Sequence, residues 1–404
     1  MKISYADRMD EVHSDIRGPL FMEALEMERS GREVLKLNTG NPAAFGFKMP
    51  KSINDALSSQ LARGVGYCDF RGMPDAREAI CAYHKSSGIL GITPDDVFIG
   101  NGVSEVVSFA TLPLLNPGDE VLLPTPCYSL WSNSIRIAGA KPVFYICDEA
   151  SEWNPDISDI KKKLTPKTRA IVIINPNNPT GAVYSPEVLT QIVKIAREMG
   201  LLIFSDEIYD RLVMDGLKHT PIATLAPDVP VVTMSGLSKS HCLCGFRCGW
   251  MVISGPRHLT AAYRDGIVKL TSMRLCANAL AQTVVPAALK DMETPLGMVS
   301  PGGRIFEQRE ATTSALSDIP GISFVKNKAA FYLFAKLDTK RFNITSDKQF
   351  AADLLRSTGI LLVPGSGFDW ILPDHFRIVM LPEKEKLRLA MNKIGEFLDG
   401  YKQV

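Results

Sequence analysis

The sequence contains no stretch approaching the ~20 apolar residues that a membrane-spanning helix needs. Its first fifteen residues, MKISYADRMDEVHSD, carry charge from the second position and lack the apolar centre of a secretory signal. A cytoplasmic protein without a membrane partner is therefore expected. An excess of one charge is missing too: 45 Lys and Arg against 44 Asp and Glu leave a net charge of +1, which offers no electrostatic footprint for nucleic acid or an anionic surface. Internal repeats, low-complexity tracts and flexible linkers are absent. The eight cysteines lie scattered at 68, 81, 127, 147, 242, 244, 248 and 276, unlike the dense framework of a small secreted domain, and are expected to be reduced thiols. Cys242, Cys244 and Cys248 gather near His241 at a spacing that matches no usual zinc signature. They are assigned to packing, and no metal is expected.

The 404 residues exceed one small core and fit a large domain plus a smaller one, since domains run to roughly 100–200 residues. Short β-branched runs recur between helical patterns: VFIG at 97–100, EVLLP at 120–124, PVFYI at 142–146, AIVII at 170–174, LLIF at 201–204, VVTMS at 231–235 and WMVIS at 250–254. That alternation predicts an α/β fold with a mostly parallel seven-stranded sheet. One intervening helix has legible ends, with Ser185 as N-cap, Pro186 at the first turn, an apolar stripe of Val188, Leu189, Ile192, Val193 and Ala196, and Gly200 as the stop. After about residue 290 longer helices interleave with short strands, FYLF at 331–334 and FRIVM at 376–380, which predicts a smaller α+β domain. The expected division is 46–289 for the large domain, with 1–45 and 290–404 forming the small one.

Ligands of such sheets bind at the carboxyl ends of the strands, and chemically pointed residues collect there. In TMSGLSKSHCLCGFRCGW (233–250), Lys239 follows a strand and Arg247 stands eight residues on. A lysine desolvated beside another cation is the usual carbonyl-trapping nucleophile, and Arg247 can also hold a phosphate. Asp206, in FSDEIYD, follows the strand LLIF and projects into the same crevice. There a carboxylate can keep a pyridine nitrogen protonated. Glu207 and Asp210 read as solvated or helix-N-terminal charges, while Tyr209 can bring its hydroxyl to the ring's phenolic oxygen. INPNNPTG at 174–181 supplies Asn178 as a rigid amide donor. GNGVSEVVSFATLPLL at 100–115 places a Gly-rich turn before a helix starting near Ser104, an anion site by its free N–H groups and dipole. Ser104, Ser238 and Arg247 would converge on the phosphate, and Tyr128, in PTPCYSLW, would stack on the ring.

Together these residues resemble the fold-type I pyridoxal-phosphate aminotransferases of class I/II, along essentially the whole chain. The pattern runs through Gly40 in LNTGNP, Tyr67 in GYCDFRG, Val103-Ser104, Tyr128, Asn178, Asp206 and Tyr209, Lys239 in LSK, Arg247, and Arg377 in FRIVM. The resemblance implies pyridoxal 5′-phosphate held by Lys239 as a Schiff base, with Lys239, Asp206 and Tyr209 as catalytic residues. It implies a homodimer with shared active sites, in which Tyr67 reaches the neighbouring subunit's phosphate. Arg377 would grip the substrate carboxylate as a bidentate fork, helped by Asn178 and the Gly40 backbone. One departure is Gly236, where the family often has a phosphate-binding serine, and Ser235 or Ser238 is expected to substitute. Within the family, LNTGNPAAFGFK, INPNNPTGAVYS, SMRLCANALAQ and PGGRIFEQR look most like the glutamate–pyruvate (alanine) branch. The implied reaction is ping-pong transfer of an amino group between L-amino and 2-oxo acids. The competing readings are a transaminase for aromatic or branched donors, a carbon–sulfur β-lyase, and a cofactor-binding module without activity. Arg274 is left open between a second substrate carboxylate and a structural ion pair.

Overall fold

The computed structural model describes residues 3–404. All seven β-branched runs form strands of one sheet: β1 (Val97–Gly100), β2 (Glu120–Thr125), β3 (Lys141–Asp148), β5 (Thr168–Ile174), β6 (Leu202–Asp206), β7 (Val231–Gly236) and β8 (Gly249–Ser254). An eighth, β4 (Asn154–Pro155), adds to the edge. Two residues, one of them proline, give no periodicity to read, which is why the expected count of seven falls short by one. The spatial order is β1-β8-β7-β6-β5-β2-β3-β4. From β7 to β3 neighbours are parallel, whereas β8 is antiparallel to β7 and β1, and β4 to β3.

Both faces of this sheet are buried, which explains why its strands read as continuous apolar runs rather than as alternation. Ile171 and Ile203 join one apolar cluster while their neighbours Val172 and Phe204 join another, as the two-residue period of a strand requires. Helices α1 (Pro74–Ser86), α2 (Val103–Thr111) and α3 (Pro186–Met199) belong to the covering layers. In α3 the Val188 N–H donates to Ser185 Oγ at 3.3 Å, and Gly200 ends the helix at φ 65°, so both sequence-read ends hold.

A smaller antiparallel sheet takes the order β9-β10-β12-β11, from β9 (Ile322–Phe324), β10 (Tyr332–Leu337), β11 (Val363–Pro364) and β12 (His375–Val379). Leu35–Lys36 pairs in parallel with Ile360–Leu361, which brings the N-terminal segment to this side of the molecule. The two sheets meet at Trp153, whose ring packs edge-on against Phe334, Trp370 and His375 at centroid distances of 5.6, 5.4 and 5.4 Å. Beside it Lys336 donates to Glu149 at 2.7 Å. Register decides what the large sheet presents: Ile174 lies opposite Asp206, and Asp206 opposite Met234. The chain therefore leaves three adjacent parallel strands in one row.

Candidate active site

Along that row opens a cavity of about 870 Å³. Gly40, Val103, Ser104, Tyr128, Asn178, Asp206, Tyr209, Ser238, Lys239, Arg247 and Arg377 all line it. Of the expected residues only Tyr67 lies outside, 83% exposed on the surface.

Lys239 sits in a single helical turn, Leu237–Ser240, directly after β7, and its Nζ donates to the Gly40 carbonyl at 2.9 Å. Asp206 is the last residue of β6 and is buried. Trp131 Nε1 donates to its Oδ2 at 3.1 Å and the Ile208 N–H to its Oδ1 at 3.3 Å. Burial nevertheless wins over these donors and pushes the carboxyl up to about 6. A cation placed opposite would reverse that balance, because its charge favours the ionised carboxylate. The Tyr209 hydroxyl donates to Tyr332 Oη at 3.0 Å, and burial holds its phenol well above the usual value. It is thus a neutral donor throughout the physiological range.

Arg377 is fully buried on β12 between the rings of Tyr332 and Phe368, 4.5 and 4.6 Å from their centroids. Its Nη1 donates to Asn178 Oδ1 at 2.9 Å and its Nη2 to the Asn38 carbonyl. Nε has no partner. A buried guanidinium with an unmet donor, in a cavity, is a site shaped for a carboxylate. Desolvation lowers its pKa from the ordinary arginine value, a cost that an incoming anion would offset.

Also on the cavity wall, Val103 and Ser104 open α2, and the Arg247 guanidinium lies against Gly102, which precedes them. Gly102 has φ 80°, and a Cβ there would collide with the Arg247 guanidinium. The absence of that carbon creates a cradle of helix N-terminus, guanidinium and Ser238 hydroxyl that suits a phosphate. The residues present fit pyridoxal phosphate: an anion cradle, a buried carboxylate in mid-cavity, a neutral phenol and a lysine amine.

The structure also corrects several readings. A Cβ at Gly236 would come 2.8 Å from the Cys248 carbonyl oxygen and 3.0 Å from Gly249 Cα, so this backbone has no room for a serine there. Ser238 faces the cavity, whereas the Ser235 hydroxyl turns to the Glu207 carbonyl at 3.4 Å. Arg274 is a brace rather than a substrate ligand. It pairs with Glu105 at 2.5 Å, donates to the Phe70 and Ile99 carbonyls, and does not line the cavity. Glu207, read as a solvated or helix-N-terminal charge, is buried, because alternation along β6 turns it to the side of the sheet away from Asp206, and Asp210 is partly buried. Cys244, assigned to packing, lines the cavity with its Sγ donating to Asn41 Oδ1 at 3.1 Å. Sequence reasoning missed Arg17, Trp131, Tyr332 and the Asn38 carbonyl. Asn38 and Trp131 stand inside LNTGNP and PTPCYSLW and Tyr332 inside FYLF, but nothing in those strings marks their part in the site.

A family model described as aminotransferase class I and II matches residues 32–394. Among curated proteins, the glutamate-pyruvate aminotransferase AlaA of Haemophilus influenzae is 50% identical over 398 residues, 98% of either chain. The protein of the same name from Escherichia coli strain K12 is 47% identical over 402 residues, 100% of this chain and 99% of its own. A crystal structure of an Escherichia coli aminotransferase superposes with TM-score 0.99 at 47% identity, with all of both chains covered. An alanine aminotransferase from Pyrococcus furiosus gives TM-score 0.93 at 37% identity, covering 98% of this chain and 100% of that one.

Proposed function

Because the chain belongs to the class I and II aminotransferases, we propose that its cavity exchanges amino groups on pyridoxal 5′-phosphate, between alanine and 2-oxoglutarate or glutamate and pyruvate. The observation that carries this reading is the opposition within one cavity of Lys239 and the buried Arg377 with its unpartnered Nε. One holds an amine where a carbonyl must be trapped, and the other holds a fork where every amino acid presents its carboxylate.

Arg377 orients the substrate through that carboxylate, with Asn178 fixing the guanidinium in plane. Lys239 would hold the cofactor covalently, and its ε-amine, when free, would accept and hand back the proton at the substrate Cα. Pyridoxal phosphate, when bound, supplies the sink for the electron pair left at Cα. Asp206 would keep the ring nitrogen protonated, Asn178 and a Tyr209 hydroxyl turned from Tyr332 would donate toward the ring's phenolic oxygen, and Tyr128 would pack against the ring. Val103, Ser104, Ser238 and Arg247 hold the phosphate.

The choice of donor rests on the branch resemblance and on Arg17. This residue, from the short turn Asp15–Arg17, brings a third arginine to the cavity beside Arg247 and Arg377, complementary to the distal carboxylate of glutamate. In the same reading residues 46–289 form the cofactor-binding domain, 1–45 and 290–404 the smaller one, and the enzyme is a cytoplasmic homodimer. Support for the dimer comes from Tyr67, Val65, Met273 and Leu275, exposed by 83, 88, 76 and 52%. They lie where segment 61–68 meets 273–282, joined by the Gln282 Nε2 to Cys68 Sγ bond of 3.4 Å. Such an apolar surface fits a second copy placing Tyr67 at the first copy's phosphate.

A donor-by-acceptor panel on the purified holoenzyme tests the reading, with alanine/2-oxoglutarate and glutamate/pyruvate expected among the best pairs. Strong aromatic or branched preference with negligible alanine turnover would remove the alanine assignment alone. Pyruvate and ammonia from cystathionine without an acceptor would point to the β-lyase. Borohydride should fix the cofactor to Lys239 in wild type and to nothing in Lys239→Ala; a labelled peptide elsewhere would end the lysine assignment.

A further inference from the structure

Behind the strand that carries Asp206 lies a second cavity, of about 330 Å³, with an unusual concentration of ionisable groups. The mechanism above uses none of them. Glu207, 1% exposed, accepts from Ser205 Oγ at 2.8 Å through Oε1 and faces His219 Nε2 at 3.0 Å through Oε2. Its backbone also ties β6 to β7, since its N–H donates to the Met234 carbonyl at 2.8 Å and its carbonyl receives the Ser235 hydroxyl. His219 is tucked in, with a side chain 7% exposed and an Nδ1 that has no partner. Such a site is expensive unless it does something, because a lone carboxylate here would be both desolvated and one residue from another buried carboxylate.

We propose that His219, acting through Glu207, is a positioning residue for the cofactor-facing carboxylate: the pair fixes the end of β6 and cancels the charge behind it, so that Asp206 stays anionic opposite the ring nitrogen. This deepens the reading of Asp206 given above and rests on it. Strand geometry carries the argument. Adjacent residues at a strand end point to opposite faces, so one carboxylate serves the cofactor while the next opposes it electrostatically through the backbone, and Glu207 does raise Asp206. Only a cation on the rear face can relieve that repulsion without entering the active site.

The other groups around His219 do not take over the task. Asp210 is held by the Tyr83 hydroxyl at 2.6 Å, and burial raises its pKa. Arg211 stacks on the Tyr83 ring 4.1 Å from its centroid and points at the Ala288 and Leu289 carbonyls. His84, on α1, accepts from Trp250 Nε1 at 3.0 Å, and burial takes it down to about 4, so it stays neutral. Lys218 is exposed. For His219 itself burial opposes protonation and the Glu207 carboxylate outweighs it, leaving the imidazole above its ordinary value. It therefore remains cationic at the pH where Asp206 titrates.

Trp131 reports on this directly, because its indole N–H is bonded to Asp206. In the full-length protein without cofactor, the Trp131 indole N–H resonance, assigned by Trp131→Phe, should titrate near the Asp206 value of about 6. His219→Gln keeps a donor for Glu207 but removes the charge, and should move the midpoint up by roughly half a pH unit or more. Glu207→Gln, alone or combined with His219→Gln, should bring it to the wild-type value or below. An unmoved midpoint in His219→Gln overturns the proposal, as does any upward shift in Glu207→Gln or a double variant displaced further than the single. If His219→Gln fails to fold, Glu207→Gln alone decides by the same criterion. Since no cofactor is present, failure here leaves the aminotransferase reading standing, and that reading stands or falls on the substrate panel.

Discussion

The two walls of the active-site cavity are assembled by different means. On the large-sheet wall Asp206 ends β6, Lys239 follows β7 by three residues, and Asn178 follows β5 by four. Backbone register alone puts them in one row. On the facing wall Arg377, Tyr332, Gly40 and Arg17 come from segments far apart in the chain. Side-chain contacts bring them together: Lys239 to the Gly40 carbonyl, Tyr209 to Tyr332, and Arg377 to Asn178 and Asn38. In the proposed reading the first wall would hold what every turnover shares, the cofactor. The second would meet the substrate, which differs between the two half-reactions. Rigid geometry belongs where the chemistry is fixed, and an assembled, mixed-origin wall belongs where a ligand must be admitted and exchanged.

If that division is real, substitutions on the two walls should fail in different ways. The largest effect is expected for Asp206→Ala. Its carboxylate acts on charge that develops only as the Cα proton leaves, so kcat should fall on the order of 10²-fold or more with little change in KM. Steady-state kinetics with one good donor reads this. A KM effect of equal size would mean that the large-sheet wall also binds substrate, and the comparison would collapse. Arg377→Lys comes next, because an ammonium cannot reproduce two parallel N–H donors. Its kcat/KM should drop for all amino acids together by about 1.5–3 kcal/mol, roughly 10- to 150-fold, with selectivity among side chains preserved. A loss confined to one donor would place the common carboxylate clamp elsewhere.

How much of each wall was readable beforehand follows the same line. Strand ends of a parallel sheet announce themselves by short apolar runs that stop at Asn, Asp or Gly, so Asn178, Asp206 and Lys239 could be placed from local pattern alone. Arg377 was found through resemblance, since FRIVM as a string says only that a strand contains an arginine. Arg17 had no local mark, and PTPCYSLW and LNTGNP gave no sign of what Trp131 and Asn38 do, because those roles arise when segments distant in sequence pack together. Glu207 was misread for a related reason. Position beside Asp206 was legible, but whether the back of the strand end meets water or His219 depends on a loop thirteen residues further on. Gly236 shows the converse, a residue that looked like a departure and proves to be required by the nearness of the Cys248 carbonyl and Gly249.

Arg17→Ala tests whether the substrate wall has a part for each half-reaction. A half-exposed ion pair with the distal carboxylate is worth about 1 kcal/mol, so KM for glutamate and 2-oxoglutarate should rise roughly fivefold while alanine and pyruvate are unchanged. Equal losses for both pairs would make Arg17 a structural residue of the N-terminal segment, and no loss would leave the distal carboxylate to another group.

The smallest effect is expected where the walls are joined. His375, two residues before Arg377 on β12, is fully buried and stacks on Phe334 at 4.7 Å. Its Nδ1 lies 2.7 Å from Asp374 Oδ1 and its Nε2 3.5 Å from Glu149 Oε1, which belongs to the large-sheet side. Burial works against the imidazolium, but the two carboxylates outweigh it and raise the pKa above the ordinary histidine value. A group raised on folding stabilises fully below its unfolded pKa, about 6.5, and that contribution is lost as pH climbs through the folded value. Wild type should therefore unfold at a higher temperature than His375→Gln near pH 6, by an amount equivalent to on the order of 1 kcal/mol, and the gap should close as pH rises through the raised folded value. Covalent fixation of the cofactor at Lys239 should be the same in both proteins, because that wall is built without His375. A gap independent of pH would make the histidine a packing ring rather than a charge, and a gap that widens with pH would reverse the assigned protonation state.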